Sequence, residues 1–266
     1  MLATPPRPSN NKAPSSSPTS ISEHPSNFQH DENMAHPRSC ILIVGERAGR
    51  LCGLANSHLP MVASGKDATK NDVPEDKKEE LAACMSELLQ ALLDTATSLN
   101  LDIIRSIHNK MALNAKKYPV ELCKGKAGKY TQYSNQTGIT KDNQSTEQED
   151  SIPHTPISVP EMAKALPALT SEIAAFARAR QWDQFHTPRN LVLAMLGEVG
   201  ELAELVQWMG DVPADFSSKE LDKLSQELAD VSIYMLRIAT ECKVVDEIQQ
   251  GLLDLNKHAR HDHEQS

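Results

Sequence analysis

Leu191-Val-Leu-Ala-Met-Leu-Gly-Glu-Val-Gly-Glu-Leu-Ala-Glu-Leu-Val-Gln-Trp208 is the stretch that decides the fold. Its apolar residues recur at helical spacing, yet two of its acids fall among them. At about 100° per residue, Glu198 and Glu201 lie on the face of Leu191, Ala194, Leu202 and Leu205. The same conflict recurs in Gln226-Glu-Leu-Ala-Asp-Val-Ser-Ile-Tyr-Met-Leu236, where Glu227 and Asp230 share the face of Val231, Tyr234 and Ile238. An ordinary amphipathic helix turns its acids away from the apolar stripe. Four acids converging in a helical core would repel one another and stay partly protonated. A hard divalent cation removes the conflict, because Mg2+ takes carboxylate oxygens and still holds substrate phosphates. Glu198, Glu201, Glu227 and Asp230 are therefore the candidate metal ligands and catalytic groups. Glu204 points about 60° away from Glu201 and reads as an outer or surface acid.

Working outward, composition sets the frame. The 266 residues allow one or two domains, and an apolar content of 39% predicts that part of the chain is unfolded. Aromatics at 4% favour a core of Leu, Ala, Met and Ile. A net charge of −9 argues against a nucleic-acid surface and a stable nucleic-acid partner. No uncharged apolar run approaches about 18 residues, and no secretory signal is evident, so no membrane association is expected. Cys40, Cys52, Cys84, Cys123 and Cys242 are scattered and lack C-x-x-C spacing, as expected of reduced thiols inside a cell. The expected location is the cytosol, with a mitochondrial or nuclear pool as the alternatives.

Residues 1–34, rich in Pro, Ser and Asn, read as disordered. Helices are expected weakly over 36–60, then over 75–99 and 102–117, with Asp102 as a cap and Pro119 as a stop. Residues 120–134 form a basic, Tyr-containing tail, and 135–160 a polar linker with three prolines. Further helices are expected over 168–181, 189–209, 218–242 and 246–260, and residues 261–266 form a short tail. No segment alternates as a strand, so the class is all-α.

The two halves echo each other. His36-Pro-Arg…Val-Gly-Glu46 matches Thr187-Pro-Arg…Leu-Gly-Glu198 with a one-residue slip, and Glu79-Glu-Leu-Ala-Ala83 matches Gln226-Glu-Leu-Ala-Asp230. Each is followed by an apolar helix, a break and a helix carrying Leu113-Asn114 or Leu255-Asn256. Shared order favours a tandem duplication over two generic hairpins. The expected domains are 35–134, a degenerate copy, and 161–260, an intact one. The first keeps Glu46 and Glu80 but has Gly49 or Arg50 for Glu201, Ala83 for Asp230 and Glu87 for Tyr234.

Phe176-Ala-Arg-Ala-Arg-Gln-Trp-Asp-Gln-Phe-His-Thr-Pro-Arg-Asn-Leu191, then Gly-Glu-Val-Gly-Glu-Leu-Ala-Glu-Leu…Gln-Trp208 and Gln-Glu-Leu-Ala-Asp230…Tyr234, closely resembles the dCTP pyrophosphatase branch of the MazG-like, all-α NTP pyrophosphatases. The resemblance covers about residues 168–256. The segment Asn114-Ala-Lys-Lys-Tyr-Pro-Val-Glu…Lys-Tyr-Thr-Gln-Tyr133 resembles the C-terminal part of that family. The resemblance implies a four-helix core that assembles into dimers or dimers of dimers, and Mg2+-dependent hydrolysis of a deoxynucleoside triphosphate to monophosphate and pyrophosphate. By position it puts Glu198, Glu201, Glu227 and Asp230 on the metal. Trp182, Asp183, Gln184, Phe185, His186, Trp208, Tyr234 and Asn256 would contact the nucleotide. The family often has a His where Ile173 stands here, and a Lys where Leu252 stands; the first half keeps Lys110 before Asn114.

The expected function is hydrolysis of dCTP and related deoxynucleotides. A broad NTP pyrophosphatase or an all-α dUTPase-like enzyme is the alternative, and an inactive pseudo-dimeric interaction protein a reading of another class. Trp182 and Trp208 fit either core packing or stacking on a base. Arg189 reads as a structural or interface residue. The expected assembly is a homo-oligomer or a pseudo-dimer within one chain, with Lys110, Lys116, Lys117 and the Lys124–Lys129 tail of the first half lending charge to the nucleotide phosphates of the intact site.

Overall fold

The computed structural model describes residues 36–59, 73–126, 155–209 and 216–264. All regular structure among them is helical: α1 (Pro37–His58), α2 (Glu75–Ser98), α3 (Ile103–Lys117), α4 (Val120–Cys123), α5 (Val159–Ala179), α6 (Pro188–Glu204), α7 (Ser218–Cys242) and α8 (Val245–Glu264). The all-α class holds. The segments expected to be disordered, 1–34 and most of 135–160, lie outside the described residues, as do 127–134 of the basic tail.

Caps and breaks follow local chemistry. Pro37 and Pro188 open α1 and α6, where a missing N–H costs nothing. Asp102 accepts from the Arg105 amide at 3.0 Å to start α3. Ser217 and Glu220 form a reciprocal capping box on α7. Asn100, Gln181 and Lys243, each with φ between 53° and 56°, follow α2, α5 and α7. There the next amide returns to the helix: Leu101 to the Ala96 carbonyl at 2.8 Å, Trp182 to Ala177 at 3.0 Å, and Val244 to Ala239 at 3.1 Å.

One boundary differs widely from expectation. The helix expected from 168 begins at Val159, inside the stretch read as linker. Ser158 donates its amide and its hydroxyl to Glu161, both at 2.7 Å, and Pro160 sits in the first turn. Pro167 lies inside α5 and cannot donate to the Ala163 carbonyl; Gln249 of α8 donates there instead, at 2.7 Å. At its far end α6 stops at Glu204 rather than 209, and the basic tail contains the short α4.

The α1–α2 pair packs on the α6–α7 pair, α1 against α6 and α2 against α7, which makes a four-helix core. Leu51, Met85, Leu88, Leu92, Met195 and Leu228 are fully buried in it. At about 1.5–3 kcal/mol per buried side chain of this size, this core dominates stability. The following helices cross over: α3 packs on α7, and α8 on α2. α5 lies against α7 and α8. Ser225 of α7 donates to Ser106 of α3 at 2.8 Å. α2 and α8 meet at Gly251, where a Cβ would stand 2.5 Å from the Ser86 Oγ. Arg189 of α6 donates to the Leu59 and Asn56 carbonyls at 2.9 and 2.7 Å, satisfying the C-terminal end of α1. No described helix is long and apolar enough to cross a membrane.

Candidate functional site

The three-residue spacing places Glu198 and Glu201 on one side of α6, and Glu227 and Asp230 on one side of α7. Packing of α6 on α7 brings them together. One carboxylate oxygen each from Glu198, Glu201 and Glu227 lies within 4.8 Å of the others. Asp230 lies outside that trio but near enough to raise Glu198 and Glu227, and is held by Lys110 of α3, Nζ to Oδ2 2.5 Å, with both side chains largely buried.

The electrostatics are those of acids short of positive charge. Burial, then repulsion from Asp230, Glu201 and Glu227, lifts Glu198 to about 7. Glu227 is also raised by burial, against the pull of Lys110 and Lys117. Burial raises Asp230 too, opposed by Lys110, Lys117 and a hydrogen bond from Asn114. One turn along α7, burial and the charges of Glu198 and Asp230 push Tyr234 far above the ordinary phenol value, so its hydroxyl remains a donor. Such a donor set, all hard oxygens with protons held by burial and mutual repulsion, suits a hard cation such as Mg2+.

The other expected contacts sit in two places. Trp182 follows α5 and packs edge-on against Tyr118, centroids 5.4 Å apart at 80°, and Phe176, 6.0 Å at 62°. Its indole N–H donates to the Lys126 carbonyl at 3.1 Å. Gly125, at φ +70°, donates its amide to the Arg180 carbonyl at 2.9 Å, and Arg180 donates to the Tyr118 carbonyl at 2.8 Å. The end of the first half is thus bound to the segment that carries Trp182. Within that segment, Gln184 bonds to the Gln181 carbonyl at 2.8 Å, Phe185 is half-buried, and Asp183 and His186 meet Arg237. Trp208 is 83% exposed in the turn after α6, so it is no part of the core. Asn256 lies on α8, which packs on α2 and α5; the asparagine that bonds Asp230 is Asn114.

Tyr118 and Arg237 were not singled out from the sequence. Arg237 carries a usable signal, a charge between Leu236 and Ile238 on the helix that also sets Glu227 and Asp230 among apolar residues.

The chain is 53% identical over 74 residues to dCTP pyrophosphatase 1 of Homo sapiens and to that of Rattus norvegicus, and 51% identical to that of Bos taurus. The chain resembles dCTP pyrophosphatase 1. The matched stretch is 27% of this chain and spans 44% of the length of those relatives. No family model matches the chain, and no solved structure matches it significantly.

Proposed function

We propose that this chain is a nucleoside triphosphate pyrophosphatase that hydrolyses dCTP and related, including modified, deoxynucleoside triphosphates to the monophosphate and pyrophosphate, and so clears the deoxynucleotide pool. The observation that carries this reading is the convergence of Glu198, Glu201 and Glu227, with Asp230 and its partner Lys110 beside them. Similarity to proteins named dCTP pyrophosphatase 1 supports the substrate.

The four carboxylates would hold Mg2+, which would supply neutralisation of charge on the phosphate oxygens. Glu198 or Glu201 orients the attacking water and accepts its proton. The water oxygen bonds to the α-phosphorus, and the bond from that phosphorus to the oxygen bridging to the β-phosphate breaks. Lys110 and Lys117 present point charges to the polyphosphate, and the Tyr234 hydroxyl donates to sugar or phosphate. Trp182, Trp208 and the intervening residues of 183–186 contact the base, with Asn256 a further candidate. The two halves act as a degenerate and an intact copy of one unit in an intrachain pseudo-dimer, with α3 of the first completing the site of the second.

The test is pyrophosphate release from dCTP, methylated dCTP, dUTP, dTTP, ATP and GTP with and without Mg2+. The expected result is Mg2+-dependent turnover with dCTP or its methylated form among the best substrates. A preference for ATP over every pyrimidine contradicts the reading.

A further inference from the structure

α7 carries one continuous polar stripe. Glu227, Asp230, Tyr234, Arg237 and Glu241 follow at spacings of three and four residues, so they share one side of the helix. The first three belong to the acid cluster. Arg237 lies beyond it, 3% exposed, and its guanidinium joins three groups. Nη2 pairs with Asp183 and, at 2.8 Å, with Glu241; Nε donates to His186 Nδ1 at 3.4 Å. A buried guanidinium is costly unless its partners are fixed. One partner here is on its own helix, and the other two are in the segment between α5 and α6.

The donor pattern has a chemical consequence. Guanidinium groups only donate, so His186 Nδ1 accepts, and the neutral ring carries its proton on Nε2. Burial and the positive charge of Arg237 keep the ring neutral, holding His186 down at about 4 against the opposing charge of Asp183. The ring lies 5.9 Å from that of Trp182, centroid to centroid.

We propose that Arg237 is a positioning residue for the substrate: it pins Asp183 and His186 to the helix that carries Asp230, and fixes His186 as the Nε2–H tautomer, a hydrogen-bond donor for an acceptor atom of the nucleotide. The proposal rests on the reading above that residues 182–186 contact the nucleotide.

The experiment uses the full chain. Long-range 1H–15N correlation spectra report the His186 tautomer, assigned against H186Q, beside steady-state kinetics with dCTP. In the wild type the ring is expected as the neutral Nε2–H form at pH 6. R237K keeps a positive charge for Asp183 and Glu241 but cannot hold both loop groups at once. It is expected to mix the tautomers and raise KM about tenfold, the size of one lost hydrogen bond, with kcat within about twofold. H186Q, which retains a donor and leaves Arg237 in place, is expected within about threefold of the wild-type KM, and H186A about tenfold above it. A wild-type ring protonated on Nδ1, or an R237K protein with wild-type tautomer and KM, overturns the proposal. A changed tautomer with unchanged KM in both R237K and H186A confirms the pinning and overturns the contact of His186 with the nucleotide.

Discussion

The α1–α2 pair and the α6–α7 pair treat their acids in opposite ways. In the first, Arg47 pairs with Glu46 at 3.1 Å and with Glu87 at 2.7 Å, Arg50 also pairs with Glu87, and Lys77 reaches Glu80 at 3.4 Å. Every one of those bases lies on α1 or α2. In the second, the positive charge that reaches the clustered acids Glu198, Glu227 and Asp230 comes from α3, as Lys110 on Asp230 and Lys117 further off, while Glu241 at the far end of α7 pairs with Arg237. Acids neutralised within their own pair form a settled surface. Acids crowded together, and neutralised only from a third helix, keep a place for a cation and for the anion it accompanies.

The largest effects should separate the two pairs. D230N or E201Q is expected to leave the helical circular dichroism spectrum unchanged and to lower kcat by about two to three orders of magnitude, as loss of a charge-stabilising group does. E46Q should stay within about twofold. Comparable losses from both pairs in a dCTP turnover assay would erase the distinction.

Next in size is the seam between the pairs. R189A removes two charge-assisted hydrogen bonds from the end of α1. A loss of about 2–4 kcal/mol is expected in urea unfolding, with the acid cluster's cation affinity retained.

A smaller effect should appear in pH dependence without a divalent cation. Folded Glu198 titrates at about 7, and a glutamate in the unfolded chain at about 4.3. Between those values the folded form binds more protons, so stability is full below the lower value and falls as pH rises through the upper one. Thermal melting in chelator from pH 5 to 8 should show this decline, and E198Q should flatten it.

The residues themselves show why part of this was legible beforehand. A carboxylate on an apolar helix face betrays itself locally, so Glu198, Glu201, Glu227 and Asp230 could be read one helix at a time. The cap at Asp102 is equally local. The start of α5 is not legible locally, because a proline inside a helix leaves a carbonyl without its donor; the donor that relieves Ala163, Gln249, is 86 residues away in sequence. Likewise Lys110 and Asn114 could be noticed as phosphate-seeking chemistry, but only the crossing of α3 onto α7 puts them on Asp230. Trp208 fits core packing or base stacking in the sequence, and its exposure removes it from the core.

On the proposed mechanism, the acids of α6 and α7 work with a lysine supplied by α3. Kinetics of dCTP hydrolysis by K110M, beside titration of its Mg2+ or Mn2+ affinity, test it most directly. Removing one positive charge from beside four acids should hold or tighten cation binding, while kcat/KM for dCTP falls by about tenfold or more because the polyphosphate loses a point charge. An unchanged kcat/KM in K110M would contradict the account.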